Sequence, residues 1–211
     1  MSVAFENIHL HEEIHNTQKE IIEKLGEVVE TRSNETAFHV HRVAELSEIL
    51  AKAYGLSDED ANMLKMASPM HDIGKIGISD NILLKPEKLT EKEYEVMKTH
   101  AVIGADILKS SKRVLLQTAA IVAEEHHERY DGTGYPKGLS GEDIHIYGRI
   151  TAIADIYDAL VHKRCYKDAW KIEDAKQYLK DESGKIFDPK LVNLFFENYK
   201  KIEAMSPNYK S

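Results

Sequence analysis

The sequence predicts an all-α protein, a helical bundle with an added N-terminal helix. Apolar residues recur at helical spacing through most of the chain, and the alternation typical of strands is nearly absent. Helix-capping patterns precede several of these segments. The longest break in the periodicity is one glycine-rich loop over residues 129–146, where the glycines permit turns and Pro136 fixes a backbone angle.

The first predicted helix covers residues 12–30 and carries one apolar stripe among charged residues. The stripe consists of Ile14, Ile21, Leu25 and Val28. Gln18 interrupts this heptad-like seam, so a short coiled coil and a solitary helix both stay open. We interpret residues 1–31 as a helical linker, which would also form a homodimer contact if the seam pairs, and residues 32–211 as the domain itself.

Six further helices follow in the predicted domain. Gly55 stops the first of them, and Ser57 caps the second, which ends at the His71-Asp72 pair. Thr90 and Glu93 form a capping-box pattern that opens the third. In chain order, the first three predicted helices begin near Ser33, at Ser57 and at Thr90, and the third runs through Met97 and His100. The other three cover residues 113–127, residues 147–162 and the segment that begins at Asp188-Pro189.

Composition excludes several classes of protein. The chain has 211 residues, a formal charge of −8 and 30% charged residues, which fits a globular domain and argues against binding of nucleic-acid polymers. No apolar run approaches the ~18 residues of a membrane span, and the N-terminus lacks a signal-peptide core. A single cysteine, Cys165, excludes an internal disulfide and fits a reducing cytoplasm. The 11 histidines indicate metal or proton chemistry.

The most informative stretch is His71-Asp72, which is followed by Ile73-Gly74-Lys75. A histidine and an aspartate that are adjacent can both ligate one metal ion, because imidazole nitrogen and carboxylate oxygen are both common ligands. The second oxygen of Asp72 is then free to bridge to another ion. Lys75 would place a cation beside the same site.

Histidines and carboxylates elsewhere could complete such a site. Glu35 and His39 share one helix face, although taken alone this pair favours an exposed ion pair. His100 alone is typical of a satisfied core or surface histidine. The doublet His126-His127 ends a helix at the mouth of the glycine-rich loop, where sites are often built. Asp155 lies in an apolar helix and needs a partner there, either a metal ion or a salt bridge.

A second metal-like pattern lies near the N-terminus. His11-Glu12-Glu13-Ile14-His15 matches the H-E-x-x-H pattern of zinc metalloproteases. It falls in a polar helix without the apolar surroundings that close such a site. The sequence therefore favours a solvated linker helix over a protease.

Taken together, these residues resemble the HD-GYP group of HD-domain phosphohydrolases, which hydrolyse cyclic dinucleotides. The HD pair alone would be a weak signal, but the ordered set is very specific, and it covers residues 30–200 or so. The motifs that carry the resemblance are Glu35-Thr36-Ala37-Phe38-His39 with Arg42, His71-Asp72-Ile73-Gly74-Lys75, His100, His126-His127-Glu128, Asp131-Gly132-Thr133-Gly134-Tyr135-Pro136, Asp155 and Arg164-Cys165-Tyr166-Lys167.

The resemblance implies a centre of two or three divalent metal ions, with iron the usual metal and manganese the alternative. Nitrogen and oxygen ligands suit both metals. By this resemblance one ion is held by His39, His71, Asp72 and Asp155, with Asp72 bridging. A second ion is completed by His100, His126 and His127, and Glu35 would help to hold a third.

The resemblance also implies roles around the substrate. Tyr135, Arg164 and Lys167 would contact the nucleotide, and the catalytic pair would be Asp72 and Lys75, with Lys75 beside the scissile phosphate. The implied reaction is hydrolysis of cyclic di-GMP to linear pGpG, and further to GMP, in bacterial second-messenger signalling. Two alternatives stay open, a non-catalytic cyclic-dinucleotide receptor and a hydrolase of another cyclic dinucleotide such as 3′,3′-cyclic GMP-AMP.

Family resemblance bears on protein partners as well. HD-GYP domains commonly follow a receiver or other sensor domain, and the N-terminal helix resembles the link to one. We therefore expect this chain to work with such a domain, either upstream in a longer protein or as a separate partner in trans.

Overall fold

The computed structural model describes residues 3–33, 36, 38–163 and 169–205, without the side chains of 3–8, 11, 12 and 15. Glu35, Arg164, Lys167 and the H-E-x-x-H histidines therefore lie outside the described side chains. The helices are α1 (Val3–Arg32), α2 (Phe38–Tyr54), α3 (Asp58–Ala67), α4 (Asp80–Leu83), α5 (Glu91–Lys98), α6 (His100–Leu108), α7 (Val114–Glu125), α8 (Ile146–Val161), α9 (Ile172–Asp181), α10 (Pro189–Glu197) and α11 (Tyr199–Met205).

The all-α prediction is confirmed for the described part of the chain, which contains no strand and only one isolated bridge, between Ser183 and Phe187. Three short 3-10 turns, at Ser68–Met70, Ile73–Gly77 and Gly141–Asp143, join helices. No helix among the described residues is both long and apolar enough to cross a membrane.

The capping predictions are confirmed. The side chain of Ser57 accepts a hydrogen bond from the backbone N–H of Asp60 at the start of α3. Thr90 and Glu93 form a complete capping box at α5, and the side chain of Asp188 caps α10 with Pro189 in its first turn. These local signals depend on hydrogen bonds that neighbouring residues make with one another, so they can be predicted without the tertiary structure.

Four predicted helix boundaries are wrong, and α9 is missing from the prediction. The helix predicted over residues 12–30 begins at Val3. The helix predicted from Ser33 begins at Phe38. The helix predicted to reach His71 ends at Ala67, because Pro69 lies in the 3-10 turn that follows. The helix predicted to run through Met97 and His100 is two helices, α5 and α6, that join at Thr99.

The core lies between α2, α7 and α8, with α3, α9 and α10 packed around them. Its fully buried aliphatic residues come from each of the three central helices and include Val43, Leu46 and Leu50, Val122 and Ala123, and Ile150 and Ile153. Because the core is apolar and continuous, it fixes the positions of α2, α7 and α8, which carry or precede several of the candidate ligands.

Helix α1 has two different faces. Ile22 and Val29 are buried against the domain, and a Cβ on Gly26 would lie 2.5 Å from the backbone oxygen of Pro69, so α1 approaches the Ser68–Met70 turn closely. The opposite face is the predicted apolar stripe, which is exposed at Ile14, Ile21, Leu25 and Val28. The boundary between linker and domain at residue 31 stays a prediction.

Candidate metal centre

The structure brings together seven of the predicted ligand residues. His39 lies in the first turn of α2, and Asp155 lies within α8. The others follow or open helices next to them: His71 and Asp72 between two 3-10 turns, His100 at the start of α6, and His126 and His127 after α7. Of the seven, Asp155 and His127 are partly exposed and the rest are buried.

Hydrogen bonds fix the orientation of four of the imidazole rings. The Nδ1 of His71 lies 2.9 Å from the backbone oxygen of Ser68, and the Nδ1 of His100 lies 2.8 Å from that of Met97. The Nδ1 of His126 contacts the backbone oxygens of the preceding helical turn, and the Nδ1 of His39 lies 2.7 Å from Asp158 Oδ2.

These acceptors determine the tautomer of each ring. A carbonyl or carboxylate oxygen can only accept, so Nδ1 carries the proton in every case. In the neutral ring, each Nε2 then carries a lone pair that faces the centre of the cluster. Fixing the outer nitrogen in this way is how proteins prepare histidine as a metal ligand.

The carboxylate of Asp72 lies between two groups of these nitrogens. Its Oδ1 is 3.1 Å from His100 Nε2 and 3.7 Å from His126 Nε2. Its Oδ2 is 3.4 Å from His71 Nε2 and 2.6 Å from the ammonium of Lys75. The two oxygens therefore face different partners, which is the arrangement that a bridging carboxylate needs.

Two groups of possible ligand residues lie here, and within each group the ligand atoms are all within 4.8 Å of one another. The first group is Asp72, His100, His126 and His127, and the second is Glu30, His39 and His71. Asp155 borders the second group, with Oδ1 3.3 Å from His39 Nε2 and 4.0 Å from His71 Nε2.

Several atoms in these groups are buried and lack a hydrogen-bond partner in the described structure, namely Glu30 Oε2, His39 Nε2, His71 Nε2 and Asp72 Oδ1. Buried polar atoms are normally satisfied, so unpartnered polar atoms that converge on one point fit a shared partner such as a metal ion. A set of imidazole nitrogens and carboxylate oxygens fits divalent transition-metal ions.

The protonation states suit metal binding on one side of Asp72. Burial lowers the pKa of His126, and burial together with the neighbouring imidazoles holds the pKa of His127 well below its usual value. Both rings are therefore neutral at pH 7, as a ligand must be. Burial opposes ionisation of Asp72, but Lys75 and His71 outweigh it and hold the pKa of this carboxyl well below its usual value.

On the other side, carboxylates favour the charged form of histidine. Burial opposes the charge on His71, but Asp72 and Asp155 outweigh it and raise the pKa of His71 to about 9. The pKa of His39 is likewise raised, against burial, by Asp155 and Asp158. A divalent cation in this group would take the place of those protons, because it supplies the same positive charge to the same carboxylates.

Asp158 supports His39, although it was not among the residues predicted from the sequence. Besides its contact with His39, it accepts hydrogen bonds from Arg42 Nε at 2.6 Å and from Arg42 Nη2 at 2.9 Å. The signal was present in the chain, since Asp158 follows Asp155 by one helical turn and Arg42 follows His39 by one turn.

Glu30 is the second residue that the sequence patterns did not predict. It lies near the end of α1, where the sequence predicts a solvated linker, yet it is 1% exposed and its Oε2 lies 4.0 Å from the ammonium of Lys75. Nothing in the local pattern distinguishes it from the other glutamates of α1, because its burial depends on how α1 packs against the domain.

Tyr135 lies at the edge of the cluster. Its ring stacks on that of His127 with centroids 4.7 Å apart, and its backbone N–H donates to the backbone oxygen of His127. The ammonium of Lys98 lies 5.6 Å from the ring centroids of both Tyr135 and Tyr94. The loop thus places an aromatic surface directly beside the candidate ligands.

A cleft of about 790 Å³, including the part open to solvent, extends from His126 and His127 past Tyr135. It is also lined by Tyr94, Lys98, Glu128, Arg129, Thr133, Gly134, Ala152, Ile156 and Ile186. Aromatic rings and cations around an opening next to the cluster suit a ligand that has both bases and phosphates.

Glu128 holds the loop that carries Tyr135. Its carboxylate is buried and accepts from the backbone N–H of Lys137 at 2.7 Å and from that of Leu139 at 3.0 Å. A Cβ on Gly134 would lie 2.3 Å from the backbone nitrogen of Arg129, so only glycine fits where the loop returns to its base. The loop is therefore an ordered wall of the cleft.

The fold and the cluster define a helical domain with a candidate binuclear metal centre. The family model described as an HD domain matches residues 14–191. The chain belongs to the HD-domain family, and the resemblance of its motifs to the HD-GYP group is confirmed.

Curated relatives are named as phosphodiesterases. A Vibrio cholerae protein named 3′3′-cGAMP-specific phosphodiesterase 2 is 48% identical over 97% of this chain and 39% of its own length. The cyclic di-GMP phosphodiesterase response regulator RpfG of Xanthomonas campestris is 41% identical over 92% of this chain and 51% of its own. A cyclic di-GMP phosphodiesterase of Thermotoga maritima is 44% identical over 87% of this chain and 50% of its own. This chain thus spans about half of these relatives or less.

Solved structures share the fold. A crystal structure of a V. cholerae cyclic GMP-AMP specific phosphodiesterase, V-cGAP3, gives a TM-score of 0.66 at 20% identity, covering 90% of this chain and 49% of that one. The HD domain of Listeria monocytogenes PgpH, solved with cyclic-di-AMP, gives 0.57 at 17% identity over 90% of this chain and 97% of that one. At these identities the likeness concerns the fold alone.

Proposed function

We propose that this domain hydrolyses a phosphodiester bond of a cyclic dinucleotide with the help of bound divalent metal ions, and that cyclic di-GMP is its first candidate substrate. The observation that carries the proposal is the carboxylate of Asp72, which lies between two groups of converging histidine Nε2 atoms. The names of the relatives supply the substrate class.

Two ions would be held by seven of the described residues. His39, His71, Asp72 and Asp155 would hold one, and Asp72, His100, His126 and His127 the other. Glu35 is the proposed additional ligand of a third ion. When bound, the ions supply an activated water and a sink for negative charge. Iron is the proposed metal and manganese the alternative, since the donor atoms suit both.

The protein's own groups would orient the substrate and manage charge. Lys75, whose ammonium touches Asp72, is placed to neutralise the scissile phosphate or to donate a proton to the leaving oxygen. Tyr135 offers a ring for stacking with a guanine base. Arg164 and Lys167, as proposed phosphate contacts, would complete the cleft. The product would be linear pGpG, with GMP after a second hydrolysis.

A second candidate substrate is 3′,3′-cyclic GMP-AMP. The observation that favours it is the 48% identity to the relative named as specific for this compound. Since Asp72 and Lys75 would act on the phosphodiester and not on the base, the two substrates use the same proposed chemistry. The choice between the two substrates would depend only on which bases the cleft beside Tyr135 accepts.

The decisive experiment is elemental analysis of anaerobically purified protein, together with an assay of both dinucleotides on the same sample. We expect about two or three metal ions per chain and a linear product from at least one dinucleotide. The double variant His71→Ala/Asp72→Ala is the matched control and should lose both metal and turnover. Absence of turnover with iron and with manganese would refute the enzyme, and tight binding that the double variant retains would favour a receptor.

We further propose that α1 pairs with α1 of a second copy and connects the domain to a receiver or sensor domain, either in the same protein or in trans. The basis is the exposed apolar stripe, whose members recur at coiled-coil spacing while the other face of α1 packs on its own domain. Sedimentation should give a dimer, and Ile14→Lys/Leu25→Lys should give a monomer. A monomeric parent protein would refute the pairing. The cytoplasmic location predicted from the single cysteine stays a prediction.

A further inference from the structure

The last turn of α1 is hydrogen-bonded to the main chain that carries Lys75. The guanidinium of Arg32 donates from Nη1 to the backbone oxygen of Lys75 at 2.7 Å and from Nη2 to that of Ile78, also at 2.7 Å. Nη2 donates as well to Asp80 Oδ1 at 2.7 Å. One planar group thus holds both the Ile73–Gly77 turn and the residue that ends it, which a lysine could not do.

The same turn of α1 also reaches the tip of the Lys75 side chain. The carboxylate of Glu30 lies 4.0 Å from the Lys75 ammonium, and Asp72 Oδ2 lies 2.6 Å from the same ammonium. Glu30 is buried and Lys75 is only 12% exposed, so this negative charge acts with little screening by solvent. Arg32 therefore contacts the backbone of Lys75, and Glu30 lies near its ammonium.

We infer that Arg32 and Glu30 are positioning residues for Lys75, and that the end of α1 is consequently part of the active centre and not merely a linker. Arg32 fixes where the side chain of Lys75 starts, and Glu30 places a second negative charge beside its ammonium. The inference rests on the proposed function in one respect, that Lys75 acts on the scissile phosphodiester. The contacts of Arg32 themselves are independent of any substrate.

Substitution of Arg32 tests the main-chain half of the inference. In Arg32→Ala we expect kcat to fall roughly ten- to hundredfold, the loss that follows when a reacting group is misplaced by about an ångström. KM and metal content should stay at the parent values. Guanidinium ion at low millimolar concentration should restore part of kcat to Arg32→Ala but not to Arg32→Lys, whose side chain fills the site.

A chemical readout separates positioning from catalysis. The rate at which an amine-reactive reagent acylates Lys75, measured by mass spectrometry against the other lysines, needs no turnover. We expect this rate to rise in Arg32→Ala and in Arg32→Lys and to stay unchanged in Asp80→Ala, which loses only the side-chain contact. Lys24→Ala, on the exposed surface of α1, is the second control. If wild-type protein turns over no cyclic dinucleotide, the proposed function fails while this readout still decides the positioning.

Glu30→Gln tests the other half with almost no change of shape. We expect full metal content, faster acylation of Lys75 and a lower kcat. Loss of metal would instead assign Glu30 as a ligand, and would overturn its role as a positioning residue. The inference for Arg32 is overturned if acylation and kcat both match the wild type, or if activity and metal are lost together. Should Arg32→Ala fail to fold, the acylation rate of Lys75 in Arg32→Lys decides whether Arg32 positions Lys75.

Discussion

A Cβ on Gly74 would lie 1.9 Å from the backbone carbonyl oxygen of His100 and 2.5 Å from the backbone nitrogen of Gly104. The turn that follows Asp72 therefore touches the main chain of α6 directly. This contact holds Asp72 Oδ1 within 3.1 Å of His100 Nε2, although the two residues belong to different elements. The glycine of the HD motif has a packing role that the ligands depend on.

Gly74→Ala should consequently damage the centre without touching a ligand. The clash is with backbone, which cannot rotate away, so we expect a loss of stability of about 1–3 kcal/mol or more and reduced metal content. Gly77→Ala is the matched control from the same turn, because its Cβ would meet only the flexible side chain of Ile103 at 3.0 Å. Thermal unfolding and elemental analysis check both variants, and equal behaviour of the two would contradict the packing role of Gly74.

Asp158→Asn should weaken the metal centre through His39. The change removes the charge that fixes the His39 tautomer, and loss of such an outer partner typically costs about 10–100-fold in metal affinity. It also leaves the buried guanidinium of Arg42 without its counter-ion, which should destabilise the fold by about 3–5 kcal/mol. Metal titration and urea unfolding separate the two effects. Unchanged metal affinity would show that His39 is oriented by other contacts.

Glu128→Gln should loosen the loop that carries Tyr135. An amide has one accepting oxygen in place of two, so one of the backbone N–H groups of Lys137 and Leu139 loses its partner, at a cost of about 1–3 kcal/mol. We expect faster hydrogen exchange over residues 129–146 and a higher KM with little change in kcat. Glu124→Gln, which breaks only the surface ion pair with the Lys137 ammonium, should leave exchange and KM unaltered.

The capping box of α5 predicts a measurable pH effect. Hydrogen bonds from Lys85 and from Thr90 lower the pKa of Glu93 from 4.5 to about 2. Because the folded value is the lower one, this stabilisation is present above pH 4.5 and is lost as the pH falls toward 2. A carbon NMR titration should give a midpoint near 2 in the wild type and a higher one in Lys85→Met. A wild-type midpoint near 4.5 would refute the bonded geometry.

Sequence patterns predicted the candidate ligands better than they predicted the supporting residues. His71-Asp72 and the doublet could be recognised from residue type and order, and His100 only through the family resemblance; the structure brings them to one point. That they bind metal stays a prediction. The roles of Asp158 and Glu30 depend on their being buried beside the cluster. Their burial follows from how α8 and α1 pack, which local periodicity does not encode.

Helix boundaries also differ in whether local or tertiary contacts determine them. Ser57 and Thr90 cap their helices through side chains a few residues away, so their positions could be predicted. The junction at Thr99 could not, because Thr99 itself keeps a right-handed helical conformation and no proline or glycine marks the change from α5 to α6. Only the surrounding structure distinguishes the two helices.

Helix α1 contains 30 residues, so at 1.5 Å per residue it is about 45 Å long. Among its described side chains, those before Ile22 are not buried, whereas Ile22, Val29 and Glu30 are. If α1 pivots as a rigid rod near Gly26, its short arm is the last turn, which lies beside Lys75. A tilt that swings the far end through several ångströms would move the short arm by a fraction of that distance. A small displacement of this kind is sufficient to take a proton donor out of reach of its acceptor.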